Sequence, residues 1–275
     1  MQPSSTDKLT TADHATQASV SADALHIEVQ GSGPDLVLLH GWGLNGAVWS
    51  GIAETLALHY RVHMVDLPGF GGSTPLDEYS LKAMAECVLA KLPERAAWIG
   101  WSLGGLVATQ AALLAPTRVE QLVLVASSPK FVADGEWPGI KPEVLSQFQS
   151  QLGANLMRTL ERFLAIQAMG SPNPREDVKA LKLQLAKRPE PHPEALAAGL
   201  KLLETEDLRH QLAELQMPVS RLYGRLDALV PAAAQSLVAE LKAGRDVCFN
   251  KASHAPFISH PEEFVSELLD LLGSA

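Results

Sequence analysis

Ala96-Ala97-Trp98-Ile99-Gly100-Trp101-Ser102-Leu103-Gly104-Gly105-Leu106-Val107-Ala108-Thr109-Gln110 is the stretch on which the fold turns. An apolar run breaks at Gly100, a serine follows two residues later, and two glycines lead into a segment rich in alanine and leucine. The pattern predicts a buried strand, a very tight turn and a helix, with Ser102 at the apex. Gly-x-Ser-x-Gly in that setting holds a serine in a strained turn with its hydroxyl exposed above a sheet. A Cβ at either flanking glycine would collide with the neighbouring strand or helix. The helix dipole and its free first amides then favour negative charge developing beside Ser102. A glycine-rich connection with an incidental serine would look the same over five residues, so the reading depends on what the remaining chain supplies.

Working outward, residues 25–29, 35–40 and 61–66 read as strands, the last two running into Gly41-Trp42-Gly43 and Leu67-Pro68-Gly69. Residues 47–58 have helical spacing, and Ser80 marks the N-cap of a helix reaching Leu92, before Pro93. After the elbow helix, residues 119–126 form another continuous apolar strand. From 129 to 205 no convincing strand occurs, only helical segments broken by prolines and glycines. The βα rhythm then returns with strands at 219–223 and 246–249 and helices at 231–242 and 262–272. Strands alternating with helices across short glycine-bearing turns predict βαβ units and a parallel sheet. The expected class is therefore α/β: a mostly parallel central sheet flanked by helices, with core segments 23–128 and 206–275. The helical segment 129–205 is expected to be a lid inserted after the sixth strand.

With 275 residues, 47% hydrophobic and 19% charged, the chain can bury a large core and has the balance of an ordinary globular enzyme. No apolar run approaches the roughly 20 residues that a spanning helix needs. Residues 1–22 are rich in Ser, Thr, Ala and Gln without an apolar signal core, so a disordered extension is expected rather than a secretory signal. Cys87 and Cys248 make no disulfide framework; both are expected in the core, and the cytoplasm is the default compartment. The net charge of −9 argues against general nucleic-acid affinity.

A serine hydroxyl attacks only when a base removes its proton, and the base needs an orienting acid. In the α/β-hydrolase arrangement the chain order is Ser, then Asp or Glu, then His, each on a loop at the carboxyl ends of strands. Tyr223-Gly224-Arg225-Leu226-Asp227 places Asp227 just beyond one strand, and Ser253-His254-Ala255-Pro256 places His254 just beyond the next. His260 precedes Pro261 at a helix start, which capping explains. His14 lies in the expected disordered tail, while His59, His63, His192 and His210 fall off the expected face of the sheet. Asp66 ends a strand, but its loop is turn-rich and precedes the serine. A tetrahedral intermediate needs two backbone amides, assigned to Leu103 and, in the loop after the early strand, to Trp42. His40 reads better as a brace for that loop than as a catalytic group. No cluster has metal-ligand spacing and no dinucleotide fingerprint follows a strand, so no metal or cofactor is expected.

Three stretches make a resemblance specific: Leu38-Leu39-His40-Gly41-Trp42-Gly43-Leu44-Asn45, Val65-Asp66-Leu67-Pro68-Gly69-Phe70-Gly71 and the elbow. With Glu136-Trp137-Pro138-Gly139-Ile140-Lys141-Pro142, Glu161-Arg162-Phe163-Leu164-Ala165 and Ala255-Pro256-Phe257-Ile258-Ser259-His260-Pro261, the chain resembles the pimeloyl-[acyl-carrier protein] methyl ester esterases of biotin synthesis. The elbow and His-Gly-Trp-Gly are shared with many hydrolases; the Trp-Pro-Gly-Ile-Lys-Pro segment is far narrower. The resemblance runs from about residue 25 to the C-terminus. It implies a monomeric serine esterase with Ser102, Asp227 and His254 as triad, acting on a methyl ester carried by an acyl carrier protein. It also implies substrate contacts from Trp42, Leu103, Phe163, Leu164, Ala165, Ile166 and Gln167. The tail before residue 25 departs from the family.

Charge supports an acidic partner. Residues 141–188 carry eight basic and four acidic side chains in a chain that is acidic overall. Arg158 and Arg162 share a helical face, as do Arg175 and Lys179. A basic patch of this kind suits an acyl carrier protein, although a solvated helix face has the same spacing. The family places basic residues at these four positions for carrier docking; Lys179 stands where arginine can occur, which loses bidentate geometry but keeps the charge. A general small-ester esterase, a carbon–carbon bond hydrolase or a non-catalytic binding protein of this fold are the alternatives.

Overall fold

A computed structural model describes residues 25–273; the expected N-terminal extension lies outside the described residues. The chain begins with β1 (Ile27–Gly31) and β2 (Asp35–Leu39), then α1 (Ser50–Leu56), β3 (Arg61–Val65), α2 (Leu81–Leu89), β4 (Ala96–Trp101), α3 (Leu103–Leu114) and β5 (Val119–Val125). Four helices follow: α4 (Pro142–Leu152), α5 (Leu156–Gln167), α6 (Pro174–Leu185) and α7 (Pro193–Thr205). The short α8 (Arg209–Leu212) leads into β6 (Val219–Gly224), α9 (Ala232–Leu241), β7 (Arg245–Phe249), α10 (Pro256–Ser259) and α11 (Pro261–Leu272). Ser80 caps α2 by accepting the Ala83 amide at 3.0 Å, as its position before the apolar run predicts, although α2 stops at Leu89.

Among the described residues seven strands lie in the order β1-β3-β2-β4-β5-β6-β7, with β1 antiparallel to its neighbour and the others paired in parallel. Both faces of this sheet are covered. Val37, Leu39 and Trp98 join one buried cluster with α2 and α3, while Leu36, Leu38 and Ile99 join the other with α1 and α11. Strands buried on both faces need apolar residues at every position rather than alternation, which is why 36–39 and 96–101 read as unbroken runs.

The chain leaves β2 for β3 on one side and then crosses back to β4 on the other. The crevice outside the carboxyl ends of β2 and β4 is therefore the topological switch point, where open α/β sheets place their ligands. The helical insertion follows β5, the fifth strand among the described residues rather than the sixth, because a single antiparallel strand precedes the parallel set. Between Pro129 and α8 the only extended pairings are isolated bridges, Val132 with Ile140 and Asp134 with Trp137.

Four charges pin the two ends of the insertion together. Lys130 Nζ lies 3.0 Å from Asp134 and 3.1 Å from Asp207, and the Arg209 guanidinium reaches Asp207 at 2.6 and 2.8 Å. The Trp137 indole donates to the Lys130 carbonyl at 2.9 Å and carries Arg209 over its ring at 5.3 Å. This geometry accounts for the narrow Trp-Pro-Gly motif: the tryptophan closes the turn, and a Cβ on Gly139 would run into the Phe131 carbonyl.

Cys87 is buried, but Cys248 is exposed, against expectation. It stands on β7, the last strand of the sheet, where one side has no neighbouring strand. No helix among the described residues is long and apolar enough to cross a membrane.

Candidate active site

The elbow forms as its glycines require. Ser102 sits between β4 and α3 with φ 54° and ψ −118°, a conformation that costs a non-glycine residue about 1–3 kcal/mol and persists only when neighbours enforce it. They do so here. The Ser102 amide donates to the Val125 carbonyl at 3.0 Å, and the Ser127 hydroxyl donates to the Ser102 carbonyl at 2.9 Å. A Cβ on Gly100 would lie 2.5 Å from the Gly104 carbonyl, and one on Gly104 would lie 2.5 Å from the Leu39 carbonyl. No side chain fits at either place.

Asp227 and His254 are brought together. His254 Nδ1–H donates to Asp227 Oδ2 at 2.8 Å, with both side chains fully buried. The other Asp227 oxygen accepts the amides of Leu229 (2.7 Å) and Val230 (3.0 Å). The carboxylate is thus fixed by three donors and holds the imidazole proton on Nδ1. That leaves Nε2 as the basic nitrogen, buried and without a hydrogen-bond partner. The Trp101 indole braces the same loop from below, donating to the His254 carbonyl at 2.8 Å with ring centroids 5.7 Å apart. No hydrogen bond joins Ser102 to His254 in this structure.

The loop after β2 packs directly on the serine: a Cβ on Gly41 would stand 3.2 Å from Ser102 Cβ. His40 braces that loop, as its sequence suggests. Nδ1–H donates to the Gly41 carbonyl at 2.8 Å and Nε2 accepts the Leu67 amide at 2.9 Å. Burial pushes its pKa below the usual histidine range, against the pull of nearby Asp66. Leu103 opens α3, whose first amides have no acceptor within the helix. The Trp42 side chain is fully buried; its indole donates to the Leu196 carbonyl of α7 at 2.8 Å and meets Phe163 edge-on at 4.6 Å.

Along α5, Phe163, Leu164 and Gln167 are buried, Ile166 is half-buried and Ala165 is exposed. Helical geometry allows nothing else, since 163, 164 and 167 share a face that 165 cannot join. Arg158, Arg162, Arg175 and Lys179 are all exposed on α5 and α6. Arg162 bonds Gln151 and lies over the Phe148 ring at 5.8 Å, and Lys179 is 3.9 Å from Glu176.

Asp66 precedes the serine in sequence and takes no place in the triad order, yet it organises the same edge. Fully buried, it accepts the amides of Gly46 (2.6 Å) and Gly72 (2.8 Å), and His26 Nδ1 lies 3.1 Å away. Its place before Leu-Pro-Gly-Phe-Gly, a run of turn residues rich in free amides, was the available signal. His260 is the N-cap residue of α11, as expected, but its ring bonds Ser259 at 2.8 Å and makes no capping hydrogen bond.

A strained serine at the switch point of a doubly covered sheet, with a buried His–Asp pair past the carboxyl ends of two further strands of that sheet, defines a hydrolase. Residues 34–261 match the model of the alpha/beta hydrolase fold, and the chain belongs to that family. Among curated relatives, the pimeloyl-[acyl-carrier protein] methyl ester esterase of Photobacterium profundum is 55% identical over 251 residues, covering 90% of this chain and 98% of that protein. The protein of the same name from Aeromonas hydrophila subsp. hydrophila is 55% identical over 254 residues, covering 91% and 100%. The chain is a member of the family these proteins define. Among solved structures, an esterase from Exiguobacterium antarcticum superposes with a TM-score of 0.81 at 24% identity, covering 91% of this chain and 96% of that one; the likeness is one of fold.

Proposed function

We propose that this protein is a serine carboxylesterase that hydrolyses the methyl ester of pimeloyl-[acyl-carrier protein] to pimeloyl-[acyl-carrier protein] and methanol, through an acyl-enzyme on Ser102. The observation that carries the chemistry is the buried 2.8 Å pair of His254 and Asp227, at the same carboxyl end of the sheet as the strained Ser102. The substrate follows from relatives at 52–56% identity that bear that name.

In this reading His254 Nε2 takes the Ser102 proton as the hydroxyl attacks the ester carbonyl. The amides of Trp42 and Leu103 receive the oxyanion, donors that cost no reorganisation at the moment of reaction. His254 returns the proton to the departing methoxide, and methanol leaves. A water activated by His254 then cleaves the acyl-enzyme. Asp227 stays ionised throughout and stabilises the imidazolium. Phe163, Leu164, Ala165, Ile166 and Gln167 on α5 supply the contacts to the acyl chain.

Residues 129–205 act as a lid over the switch point, and Arg158, Arg162, Arg175 and Lys179 on its outer surface dock the acidic carrier. The protein works as a monomer in the cytoplasm, with no metal or organic cofactor. The test is hydrolysis of carrier-bound against free pimeloyl methyl ester, with p-nitrophenyl acetate as a small reference ester. A kcat/KM that strongly favours the carrier-bound ester supports the assignment. Equal values make the protein a general esterase, and inertness toward all three makes it a binding protein of this fold.

A further inference from the structure

The end of α5 is tied to the loops of both His254 and Asp227, and one buried hydroxyl makes most of the ties. Ser253, 2% exposed and directly ahead of His254, points Oγ at the carbonyls of Gln167 (2.9 Å) and Met169 (2.7 Å), with the Leu226 carbonyl at 3.5 Å. A hydroxyl has one proton, so this is a shared donor at a point where carbonyls converge from chain segments 84 and 27 residues away. A buried carbonyl left without any donor costs about 1–3 kcal/mol, which explains a polar side chain in this place. Two backbone bonds run alongside: the His254 amide donates to Gln167 at 3.1 Å, and the Leu226 amide, next to Asp227, donates to Ala252 at 3.0 Å.

We infer that Ser253 is a positioning residue for the ester hydrolysis, whose hydroxyl locks the end of α5 to the His254 and Asp227 loops so that the acyl-facing wall and the base move as one body. The inference rests on the triad reading above. Ser253 touches no substrate and acts through His254. Nε2 is buried and unpartnered, so it is open to the Ser102 proton, and the Ser253 tie fixes how the ring is held for that transfer.

Ser253→Thr and Ser253→Val test this as a pair, since they match in size and differ in the hydroxyl. On p-nitrophenyl acetate, the valine variant is expected to lose about 10- to 100-fold in kcat, the range for misplacing a reacting group by about 1 Å, with KM nearly unchanged. The low-field proton resonance of the His254–Asp227 hydrogen bond should broaden or disappear with it. The threonine variant should recover most of both. Equal kcat in the two variants with the resonance intact in both overturns the inference. Hydrogen exchange on the unmodified protein gives a second reading that does not depend on how the variants fold. The His254 amide and the last turn of α5 should open together as one cooperative unit; opening of α5 that leaves His254 protected overturns the inference as well. Wild-type turnover in Ser102→Ala would instead defeat the triad reading, whatever the Ser253 variants do.

Discussion

Trp42 and Leu196 are joined by a 2.8 Å hydrogen bond from indole to carbonyl, across 154 residues of sequence. The bond fastens the loop beside Ser102 to α7, and Gly199 on the same helix leaves room for the indole. A Cβ there would lie 2.6 Å from Trp42 Cδ1 and 3.3 Å from Leu103 Cδ2. Glycine inside a helix costs roughly 1 kcal/mol relative to alanine, so close packing against both proposed oxyanion residues accounts for its presence. Gly199→Ala is expected to displace Trp42, lowering kcat on p-nitrophenyl acetate about 10- to 100-fold and stability by about 1–3 kcal/mol. A variant with wild-type kcat and raised urea resistance would mean that the indole has space to spare.

Asp227→Asn keeps the shape of the site but lets the amide donate to Nδ1, favouring the wrong histidine tautomer. Turnover should fall by about 10⁴, and Ser102→Ala should retain only the roughly 10³–10⁴ rate enhancement over water that binding and the oxyanion amides supply. Steady-state kinetics on p-nitrophenyl acetate decide both. A silent Asp227→Asn would mean that another carboxylate orients His254.

Arg158 and Arg162 are exposed, so any partner they attract is felt through solvent, at long range and subject to salt. Reversing both, Arg158→Glu with Arg162→Glu, should cut kcat/KM for the carrier-bound ester and spare a small free ester. Wild-type activity on the carrier-bound ester should also fall more steeply with ionic strength. Equal losses on both esters would locate the damage in the lid itself.

The clamp at the base of the insertion has its own pH signature. Hydrogen bonding from Arg209, assisted by Lys130, holds the Asp207 carboxyl well below the ordinary carboxylate range. A depressed carboxylate stabilises the fold fully above its unfolded pKa, about 3.9, and that contribution is lost as pH falls toward the folded value. Asp207→Asn should therefore lower the urea midpoint by the same amount at neutral and mildly acidic pH, with the gap from wild type closing only below about pH 4. A gap that closes between neutral pH and about pH 5 would contradict the assignment.

What could be read from the chain was what neighbours in sequence determine. The elbow was legible because Gly100, Ser102 and Gly104 are constrained by a turn of a few residues, and the buried runs at 36–39 and 96–101 announce a doubly covered sheet. Asp227 and His254 were legible because each lies just past a strand. Contacts made across the chain were not. Lys130 meets Asp207 across 77 residues and Ser253 meets Gln167 across 86, and nothing local to either partner marks the encounter. Chain order gives no hint that the Asp66 carboxylate secures the loops at two strand ends. Cys248 is exposed because β7 is an edge strand, and composition carries no information about which strand is the edge.

The most direct test is acid-quenched turnover of the carrier-bound pimeloyl methyl ester, read by intact-protein and peptide mass spectrometry. The acyl group that remains after methanol leaves still carries the carrier at its far end. The account therefore predicts methanol, pimeloyl-carrier as the free acid, and a transient covalent conjugate of enzyme and carrier joined through Ser102. Free carrier thiol with released monomethyl pimelate, the products of cleavage at the thioester, would contradict it, as would an adduct on any residue other than Ser102.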